Sequence, residues 1–394
     1  LSFAYSESEL IEDTLPDDLV IVGFVGIRDD VREEAKQAIE EVQNAGVQVV
    51  MITGDRKETA IAIAKEAGLL KSEKDIALTS EELNKMSDEE VKSIIPNLRV
   101  IARALPTDKS RMVRLAQELN LVCGMTGDGV NDAPALKRAD VGFAMGSGTD
   151  VAKEAGSIVI LDDNFKSIEN AILYGRTIYN NILKFIKFQL TINVAAVTVS
   201  AIAPFFGVEE PLKITHILWI NLITDTFPAI GLGMEEAEND IMKKPPRDQN
   251  EGIFAAGLGV RIIYQGVIIA ALTLISFLIG YNGNDSSQEI RQITGMTMAF
   301  LTLSLCEIFH SLNLRSSKNS LFAVKSHNKY LLLAMLLSFV LTMTVIYIPG
   351  LNSVFELTAL PLVNLMEAIG IALLIIPIVE VEKVISRTKI KNRT

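Results

Sequence analysis

The sequence has few residues of the kinds that build disulfide-linked or metal-binding small domains. Its 394 residues include two cysteines, three histidines and one tryptophan. Cys123 and Cys306 lie far apart, each inside an apolar run, so neither a disulfide framework nor a cysteine-rich metal site is expected. The chain starts at Leu1, and no basic segment with a short apolar core precedes the first domain. We therefore expect no signal peptide and a chain that is a portion of a longer protein.

A surplus of basic residues is also missing, and charge is distributed unevenly. The first 170 residues hold 19 Lys and Arg against 32 Asp and Glu, whereas the other 224 hold 18 against 16. Because binding to nucleic-acid phosphates needs a basic surplus, no nucleic-acid partner is expected. The second part also contains several stretches near 20 residues with at most one charge, which excludes a purely soluble protein. The sequence predicts an acidic domain over 1–170 and a membrane domain over 171–394.

The first domain alternates short apolar runs with segments of helical spacing. Buried strands are predicted at 19–27, 47–52, 100–102, 121–125, 141–145 and 157–161, and helices at 31–44, 57–67 and 109–119. A polar excursion separates the second helix from the third strand. The alternation predicts an α/β domain with a parallel sheet covered on both faces. Its functional site is expected at the carboxyl ends of the strands.

Polar residues directly follow two of these predicted strands. Thr53-Gly54-Asp55 follows the second, and the segment 126–132 (TGDGVND) follows the fourth. Glycines let backbone N–H groups approach an anion, a threonine supplies a hydroxyl, and carboxylates hold Mg²⁺. Lys109, at the start of its helix, can bring a positive charge to the same edge. Together these residues suit a phosphoryl group with its metal. Each has a simpler explanation by itself: 53–55 could be an ordinary strand-to-turn segment, 126–132 an Asx-rich helix cap, and Lys109 a solvated helix residue.

Three segments carry a resemblance to a known family: 51–55 (MITGD), 125–137 (MTGDGVNDAPALK) and 144–149 (AMGSGT). They resemble the phosphorylation domain of P-type cation-transporting ATPases, which has a haloacid-dehalogenase-like, Rossmann-like α/β fold. The likeness continues through 162–165 and 175–181 into the membrane part. It implies that Asp128 binds Mg²⁺ and that the catalytic set is Thr53, Gly54, Asp55, Lys109, Asn131 and Asp132. Asp29 and Arg32 stand where the family has Asp-Pro-Pro-Arg, so they are candidates for binding ATP, although the proline pair is missing.

Two motifs of that family do not occur in this sequence. These are Asp-Lys-Thr-Gly-Thr, which contains the nucleophile, and the Thr-Gly-Glu of the actuator domain. The resemblance therefore implies that the actuator, most of the nucleotide-binding domain and the first four membrane helices precede this chain, which alone would be inactive. A truncated pseudo-pump that regulates a partner stays open. A membrane-tethered phosphatase of the same fold is less favoured, because no candidate nucleophile is found in a strand-loop context.

The membrane part is predicted to be all-α with six transmembrane helices. The spans are expected at about 185–203, 214–233, 261–280, 292–312, 330–349 and 359–379, each close to the ~20 residues that cross the hydrocarbon core. Basic residues cluster on one side, at Lys243, Lys244, Arg247, Arg315, Lys318, Lys325, Lys329, Lys383, Arg387, Lys389, Lys391 and Arg393. The other side has only Lys213 and Arg291. This predicts a multi-pass protein of the cell membrane whose first domain and C-terminus are cytoplasmic. The mixed segment 176–187 predicts a continuous helix leading into the first span.

Asp225 is an acid in the middle of the second predicted span. Such a placement costs about 2.5–3.5 kcal/mol on insertion scales, so it indicates a function. Asn221, Thr224 and Asp225 are spaced at i, i+3 and i+4, which places three oxygen-bearing side chains on one helical face. Pro228 cannot donate to the carbonyl of Thr224, which frees a further oxygen. Hard cations such as Ca²⁺ need several oxygens of these kinds.

Three other polar residues lie in the predicted spans, and two of them have two interpretations each. Asn193 and Glu307 could both reach the cavity of Asp225. Alternatively, Asn193 could form an interhelical hydrogen bond, and Glu307 could be a protonated or interface-facing acid. Glu367, in the last span, is expected to be a buried acid with a role in helix packing.

The segments 221–225 (NLITD) and 241–247 (IMKKPPR) resemble the calcium pumps of the sarcoplasmic-reticulum type and their bacterial relatives. Ala196 stands where the two-ion members of that family have Glu. The resemblance therefore implies a monomeric ATP-driven pump that moves one Ca²⁺ per cycle, with a ligand set of Asn193, Asn221, Thr224, Asp225 and Glu307. Mn²⁺, Na⁺ and K⁺ stay open as alternatives, because hard-oxygen ligands are compatible with them.

Overall fold

The computed structural model describes residues 2–7, 16, 18–26, 30–208, 210–248, 250–283, 287–316, 319–323 and 327–391. They form two compact units, one comprising Leu1–Ala171 with Met242–Gln249 and the other Ile172–Ile241 with Asn250–Thr394. Asp29, predicted to bind ATP, lies outside the described residues. So do Lys318, Lys325 and Arg393, which were counted for the membrane orientation.

The first unit has an α/β fold, as the alternation of apolar runs predicts. Its strands are β1 (Ser2–Tyr5), β2 (Val20–Phe24), β3 (Met51–Ile52), β4 (Ile76–Thr79), β5 (Leu98–Ala102), β6 (Gly124–Gly127), β7 (Val141–Met145) and β8 (Ile158–Ile160). Its helices are α1 (Glu33–Asn44), α2 (Lys57–Glu66), α3 (Ser80–Asn84), α4 (Asp88–Ile94), α5 (Pro106–Glu118), α6 (Ala133–Arg138) and α7 (Asp150–Ala155). The predicted excursion between α2 and β5 is ordered and contributes β4, α3 and α4.

The parallel strands form two separate three-stranded sheets instead of one. Their orders are β3-β5-β4 and β6-β7-β8. Met51 pairs with Val100 in the first sheet, and Gly124 with Val141 in the second. Apolar runs identify strands but do not determine which strands pair, and so the sequence could not predict the division. Within the described residues, β3 and β6 are both edge strands, and each leads directly into one of the candidate loops.

The prediction of a buried parallel strand at 19–27 is wrong. β2 pairs antiparallel with β1 in a two-stranded sheet, and it is exposed along its length. Ile21 is 64% and Phe24 75% exposed. A run of Val and Ile indicates preference for the extended conformation, but burial depends on what packs against it. Ile27, at the end of the predicted strand, lies outside the described residues.

β5 is the central strand of its sheet and is covered on both faces. Val100 and Ala102 pack with Ala60 and Ala64 of α2, whereas Leu98 and Ile101 pack in a second cluster with α3, α4 and α5. Because successive side chains of a strand point to opposite faces, this arrangement buries both faces of β5. The carboxyl end of β5, and the loop that follows it into α5, are thereby held firmly.

The second unit is helical. Its helices are α8 (Phe165–Ile202, which starts in the first unit), α9 (Ile214–Trp219), α10 (Thr226–Gly233), α11 (Leu258–Tyr281), α12 (Gln288–Leu314), α13 (Lys329–Tyr347), α14 (Leu351–Val354), α15 (Leu362–Leu373) and α16 (Ile375–Lys391). α12 is its central helix, buried along most of its length. α11 approaches α12 closely at Gly280, where an added Cβ would lie 3.0 Å from the Cα of Gly295.

Five helices among the described residues are long and apolar enough to cross a membrane. They are Phe165–Phe206, Leu258–Tyr281, Gln288–Leu314, Lys329–Tyr347 and Leu362–Thr388. The helix that leads into the first span is continuous over 38 residues, as predicted. The predicted span 214–233 is divided into α9, a π-helical segment at Ile220–Thr224 and α10. The count of six crossings therefore stays a prediction.

Candidate functional site

The loop after β3 is fixed against the end of β5. The Thr53 N–H donates to the Ile101 carbonyl, and the Thr53 carbonyl accepts from the Ala104 N–H, each at 2.9 Å. The Arg103 N–H donates to the Asp55 carbonyl at 2.9 Å. Thr53 Oγ1 donates to Asp55 Oδ2 at 2.9 Å and accepts from the Asp55 N–H at 3.1 Å. The turn is therefore held beside the loop that enters α5, and its polar groups lie at the sheet edge.

The first turn of α5 is set by a buried acid that the sequence reasoning missed. Asp108 is 1% exposed. Its carboxylate accepts from the Leu105 N–H at 2.8 Å, from Ser80 Oγ at 2.6 Å and from Asn84 Nδ2 at 3.1 Å. Asp108 lies one residue before the predicted helix 109–119 and three residues after Leu105, the cap of the observed helix, and an acid at that offset reaches back to the cap. Asp108 fixes where the helix begins and hence where Lys109 lies.

Lys109 contacts the loop that follows β6. Its Nζ lies 2.6 Å from Asp132 Oδ1. The other oxygen, Oδ2, accepts from the backbone N–H groups of Asp128 at 3.2 Å and Gly129 at 3.3 Å. Burial alone would raise the pKa of Asp132, but the hydrogen bond and charge of Lys109 and the two backbone donors together lower it. The carboxylate is therefore ionised at neutral pH, and this pair joins residues that follow two different sheets.

Two glycines let the loop after β6 pack this closely. A Cβ on Gly127 would lie 2.4 Å from the Asp132 Cβ, and a Cβ on Gly148 would lie 2.8 Å from the Asp128 carbonyl oxygen. The same carbonyl accepts from the Thr149 N–H at 2.8 Å. Both positions therefore need a residue without a side chain.

The Asp128 side chain is suited to holding Mg²⁺. It is exposed, and its described hydrogen bonds run through its backbone N–H and carbonyl. Within the described ranges no group of three or more His, Cys, Asp or Glu could hold a metal ion. Mg²⁺ keeps several waters and binds through one or two carboxylates plus substrate phosphates, so an exposed carboxylate such as that of Asp128 is a suitable ligand. Asn131 is also exposed at this edge and has room to contact such a group.

Gly54 and Arg32 are the remaining candidates of the first unit. Gly54 is exposed, and nothing lies within 4 Å of the place where its Cβ would be. Arg32 precedes α1, and its carbonyl accepts from the Ala35 N–H at 3.0 Å. Asp163 is a charged neighbour of Arg32. The structure brings together Thr53 with Asp55, and Lys109 with Asp132 and the backbone of Asp128.

In the second unit Asp225 is completely buried, with 0% exposure. It follows the π-helical segment, and its N–H donates to the Ile220 carbonyl five residues earlier at 2.9 Å. The regular α spacing assumed for Asn221, Thr224 and Asp225 is therefore wrong, because this turn contains an extra residue. Pro228 has no N–H to donate to the Thr224 carbonyl, and that carbonyl accepts from Ser338 Oγ at 3.1 Å instead.

Gln189 of α8 contacts the Asp225 cluster and was missed from the sequence. Its Nε2 lies 2.7 Å from Asp225 Oδ2 and 3.3 Å from Asn221 Oδ1. Asp225 Oδ1 and Thr224 Oγ1 are buried without a hydrogen-bond partner. Because buried polar atoms normally have partners, these two oxygens are available to a ligand. The missed signal was spacing, since Gln189 lies one turn before Asn193 on the same helical face.

No described hydrogen bond joins two further candidates, Asn193 and Glu307, to Asp225. The Asn193 amide donates to the Gln189 carbonyl of its own helix at 3.0 Å. Glu307 is 0% exposed, and both its oxygens lack a hydrogen-bond partner, so no described hydrogen bond joins it to Asp225. The expectation that Glu367 is buried is wrong, because it is exposed on α15. An apolar helix does not reveal from its sequence which face packs inward.

Models of known families match both the part of the chain that contains Lys109 and Asp132 and the part that contains Asp225. Residues 209–385 match the family model of the cation transporting ATPase C-terminus. Residues 4–140 and 115–172 match two models of haloacid dehalogenase-like hydrolases. The calcium-transporting ATPase of Bacillus subtilis is 42% identical over 90% of this chain and 39% of its own length. The chain belongs to the P-type cation-transporting ATPases.

Other calcium-transporting ATPases match over a similar share of their length. Calcium-transporting ATPase 1 of Lactococcus lactis is 42% identical over 91% of this chain and 40% of its own length. The human calcium-transporting ATPase type 2C member 1 is 36% identical over 95% of this chain and 40% of its own length. The chain thus spans about two fifths of the length of these P-type ATPases. Gln189 and Asn193 lie between the ranges that the family models match.

Proposed function

We propose that this chain is the C-terminal part of an ATP-driven pump that exports Ca²⁺ through an aspartyl-phosphate cycle. The observation that carries the proposal is Asp225, a fully buried acid in the helical unit with one oxygen free of any hydrogen-bond partner. A buried acid of this kind is stabilised when a cation binds to it. The names of the similar proteins, calcium-transporting ATPases, support Ca²⁺ as the cation.

In the first unit, Lys109 places positive charge where a transferred phosphoryl group would lie. Thr53 and Gly54 offer a hydroxyl and a backbone N–H to its oxygens, Asp55 and Asp132 keep these loops in position, and Asn131 completes the site. Mg²⁺ held by Asp128 would supply further neutralisation of the phosphoryl charge. Catalysis of this kind depends on position and electrostatics.

The aspartate that accepts phosphate and the actuator that releases it belong, in this proposal, to the part of the protein before Leu1. The nucleotide-binding domain and four membrane helices belong there too. Asp29 and Arg32 are proposed to contact the ATP that this domain holds. The two edge strands, β3 and β6, support the idea that a further strand completes the sheet between the candidate loops.

The second unit is proposed to cross the lipid bilayer six times as the domain of residues 171–394. The first domain, residues 1–170, and the C-terminus then lie in the cytoplasm of a multi-pass monomeric pump. The stretch from Ile214 to Gly233, which comprises α9, the π-helical segment, Asp225 and α10, has 20 residues, which is enough for one crossing. The surplus of basic residues in the loops on one side supports this orientation.

We propose one Ca²⁺ per cycle, held by Asn221, Thr224 and Asp225 with Asn193, Glu307 and groups from the missing helices. Ala196 supports a stoichiometry of one Ca²⁺, because two-ion pumps have a carboxylate at this position and alanine has none. The missing helices would supply the ligands that complete coordination, because Ca²⁺ takes six to eight oxygens.

The experiment that tests the proposal is Asp225→Asn in the complete protein. We expect cation-stimulated phosphorylation by ATP to be abolished, because the charged ligand is lost. Phosphorylation by inorganic phosphate should survive, because this back-reaction does not need the cation to bind at Asp225. If phosphorylation by ATP stays cation-dependent at normal affinity, the proposed site is wrong. An ATPase assay with Ca²⁺, Mn²⁺, Na⁺ and K⁺ in turn identifies the cation.

A further inference from the structure

The Gln189 side chain lies against two of the residues that would bind the cation. Its Nε2 is 2.7 Å from Asp225 Oδ2 and 3.3 Å from Asn221 Oδ1. In this orientation the NH₂ group donates to oxygens that would otherwise repel one another. The reversed amide would place Oε1 against the carboxylate, where two acceptors meet. The partial positive charge of the NH₂ group thus stands in for a cation beside Asp225.

The surroundings of Gln189 hold its backbone, and its side chain borders open space. Its carbonyl accepts from Asn193 Nδ2 at 3.0 Å, and the flanking Phe188 is fully buried. The side chain itself is half-buried and borders an open groove that is also lined by Phe185, Thr226, Ala229 and Ile230. A half-turn about its last side-chain bond exchanges the oxygen and nitrogen without moving the helix.

We propose that Gln189 is a selectivity-determining ligand of the cation site. When no cation is bound, its NH₂ group holds Asp225 and Asn221. When a cation binds, the amide turns and its carbonyl oxygen becomes a ligand, because a hard cation attracts amide oxygen and repels the NH₂ group. This inference rests on the proposed function, and it names a determinant that lies outside the ranges matched by the family models.

The chemistry of the cluster explains why an amide at this position affects selectivity. Ala196 supplies no carboxylate, so the acids of the proposed site are Asp225 and Glu307, and Asn221 and Thr224 supply neutral oxygens. A site with few charges distinguishes cations by the number and geometry of its neutral oxygens. Removing one such oxygen should therefore change the preference between Ca²⁺ and Mn²⁺ as well as the affinity.

The test compares two substitutions of nearly equal size in the complete protein, Gln189→Met and Gln189→Glu. Gln189→Met keeps the packing but has no oxygen, and we expect the apparent Ca²⁺ affinity for phosphorylation by ATP to fall about 10–100-fold. Its preference for Ca²⁺ over Mn²⁺ should shift as well, and phosphorylation by inorganic phosphate should persist. Thr198→Val is the matched control, because the Thr198 hydroxyl donates to Val194 of its own helix.

Gln189→Glu keeps an oxygen ligand and adds a charge beside Asp225. We expect its Ca²⁺ affinity to equal or exceed that of the unmodified protein at high pH. It should fall steeply as pH decreases, because two adjacent carboxyl groups retain a shared proton that the cation must displace. This variant also carries the test if Gln189→Met does not fold.

Each outcome decides between the two proposals. Unchanged affinity and cation preference in Gln189→Met, or a pH dependence in Gln189→Glu equal to that of the unmodified protein, would overturn the role of Gln189. If Asp225→Asn removes the cation dependence while Gln189→Met leaves it intact, only this inference is wrong. If both variants behave like the unmodified protein, the proposed cation site itself is wrong.

Discussion

Lys109 Nζ lies 2.6 Å from Asp132 Oδ1, although 22 residues separate the two positions and they follow strands of different sheets. The contact joins the start of α5 to the loop after β6. It places a positive charge beside a buried carboxylate at an edge where backbone N–H groups also converge. Such an arrangement is suited to an anion that carries several negative charges.

Replacing Lys109 by Met should reduce the rate of phosphorylation by ATP about 10²–10³-fold, the cost of removing one preorganised donor from a charged transition state. Lys109→Arg keeps the charge but has a planar head group of different reach, so a smaller loss is expected. Rapid-quench measurement of the phosphoenzyme checks both variants. A normal rate in Lys109→Met would show that this lysine does not act on the phosphoryl group.

The lowered pKa of Asp132 predicts a specific dependence of stability on pH. A carboxyl group whose pKa is lower in the folded state stabilises that state above its ordinary pKa of 3.8 and loses this effect as pH falls through the lowered value. Asp132→Asn should therefore be less stable than the unmodified protein at pH 7, and the difference should shrink below pH 3.8. Thermal unfolding between pH 7 and acid pH measures it. A difference that stays constant across this range would contradict the assignment.

Gly127→Ala should displace Asp132, because the added Cβ would lie 2.4 Å from the Asp132 Cβ. Overpacking of this kind costs about 1–3 kcal/mol, and here it should also break the contact with Lys109. Gly23→Ala is the matched control, since nothing lies within 4 Å of its added Cβ. Thermal unfolding together with the phosphorylation rate tests the pair. Equal behaviour of the two alanine variants would refute the close packing of this loop.

The Cys123 thiol should react slowly with alkylating reagents. Burial, with a smaller effect from Asp140, raises its pKa to about 11 from the ordinary value of 9.0. A raised thiol pKa means less thiolate, so labelling by iodoacetamide at pH 8 should be about 100-fold slower than that of an exposed cysteine. Mass spectrometry of the labelled peptide follows the rate, which should still be rising at pH 10. Rapid labelling at pH 7 would show that the thiol is exposed.

The buried ion pair between Arg315 and Glu235 should contribute strongly to the stability of the second unit. Arg315 Nη2 lies 2.8 Å from Glu235 Oε1, and the two side chains are 11% and 4% exposed. Glu235 also accepts from Asn328 Nδ2 at 2.9 Å. Arg315→Met should cost about 3–5 kcal/mol, because it leaves a buried charge without its partner.

Combining Arg315→Met with Glu235→Gln should restore part of that stability, and a double-mutant cycle on thermal unfolding in detergent measures the coupling. Lys85→Met is the control, because its pair with Glu81 is 72% and 80% exposed and should contribute little to stability. Strictly additive effects of the two substitutions would mean that the pair is not coupled.

Much of the site could be predicted because its residues follow strands directly in the chain. Thr53 and Asp55 come after β3, and Asp128 and Asp132 after β6, so the position of each pair at the carboxyl end of its own sheet follows from the rule for parallel strands. Gln189 and Asp108 were missed for opposite reasons. Gln189 is an ordinary polar residue until another helix brings Asp225 beside it. Asp108 stands three residues after the helix cap Leu105, which is a local sequence signal, but only its neighbour Lys109 was considered in this segment.

The sequence by itself determined the α/β class of the first unit, the apolar helices of the second and the family, because these depend on local periodicity and contiguous motifs. Only the tertiary structure decided that the strands divide into two sheets and that β2 is exposed. It also decided that a π-helical turn precedes Asp225 and that the Gln189 amide donates to the Asp225 carboxylate. Each of these depends on which segments, distant in the chain, pack against one another. Burial and hydrogen-bond partners are properties of that packing, and the periodicity of one segment does not contain them.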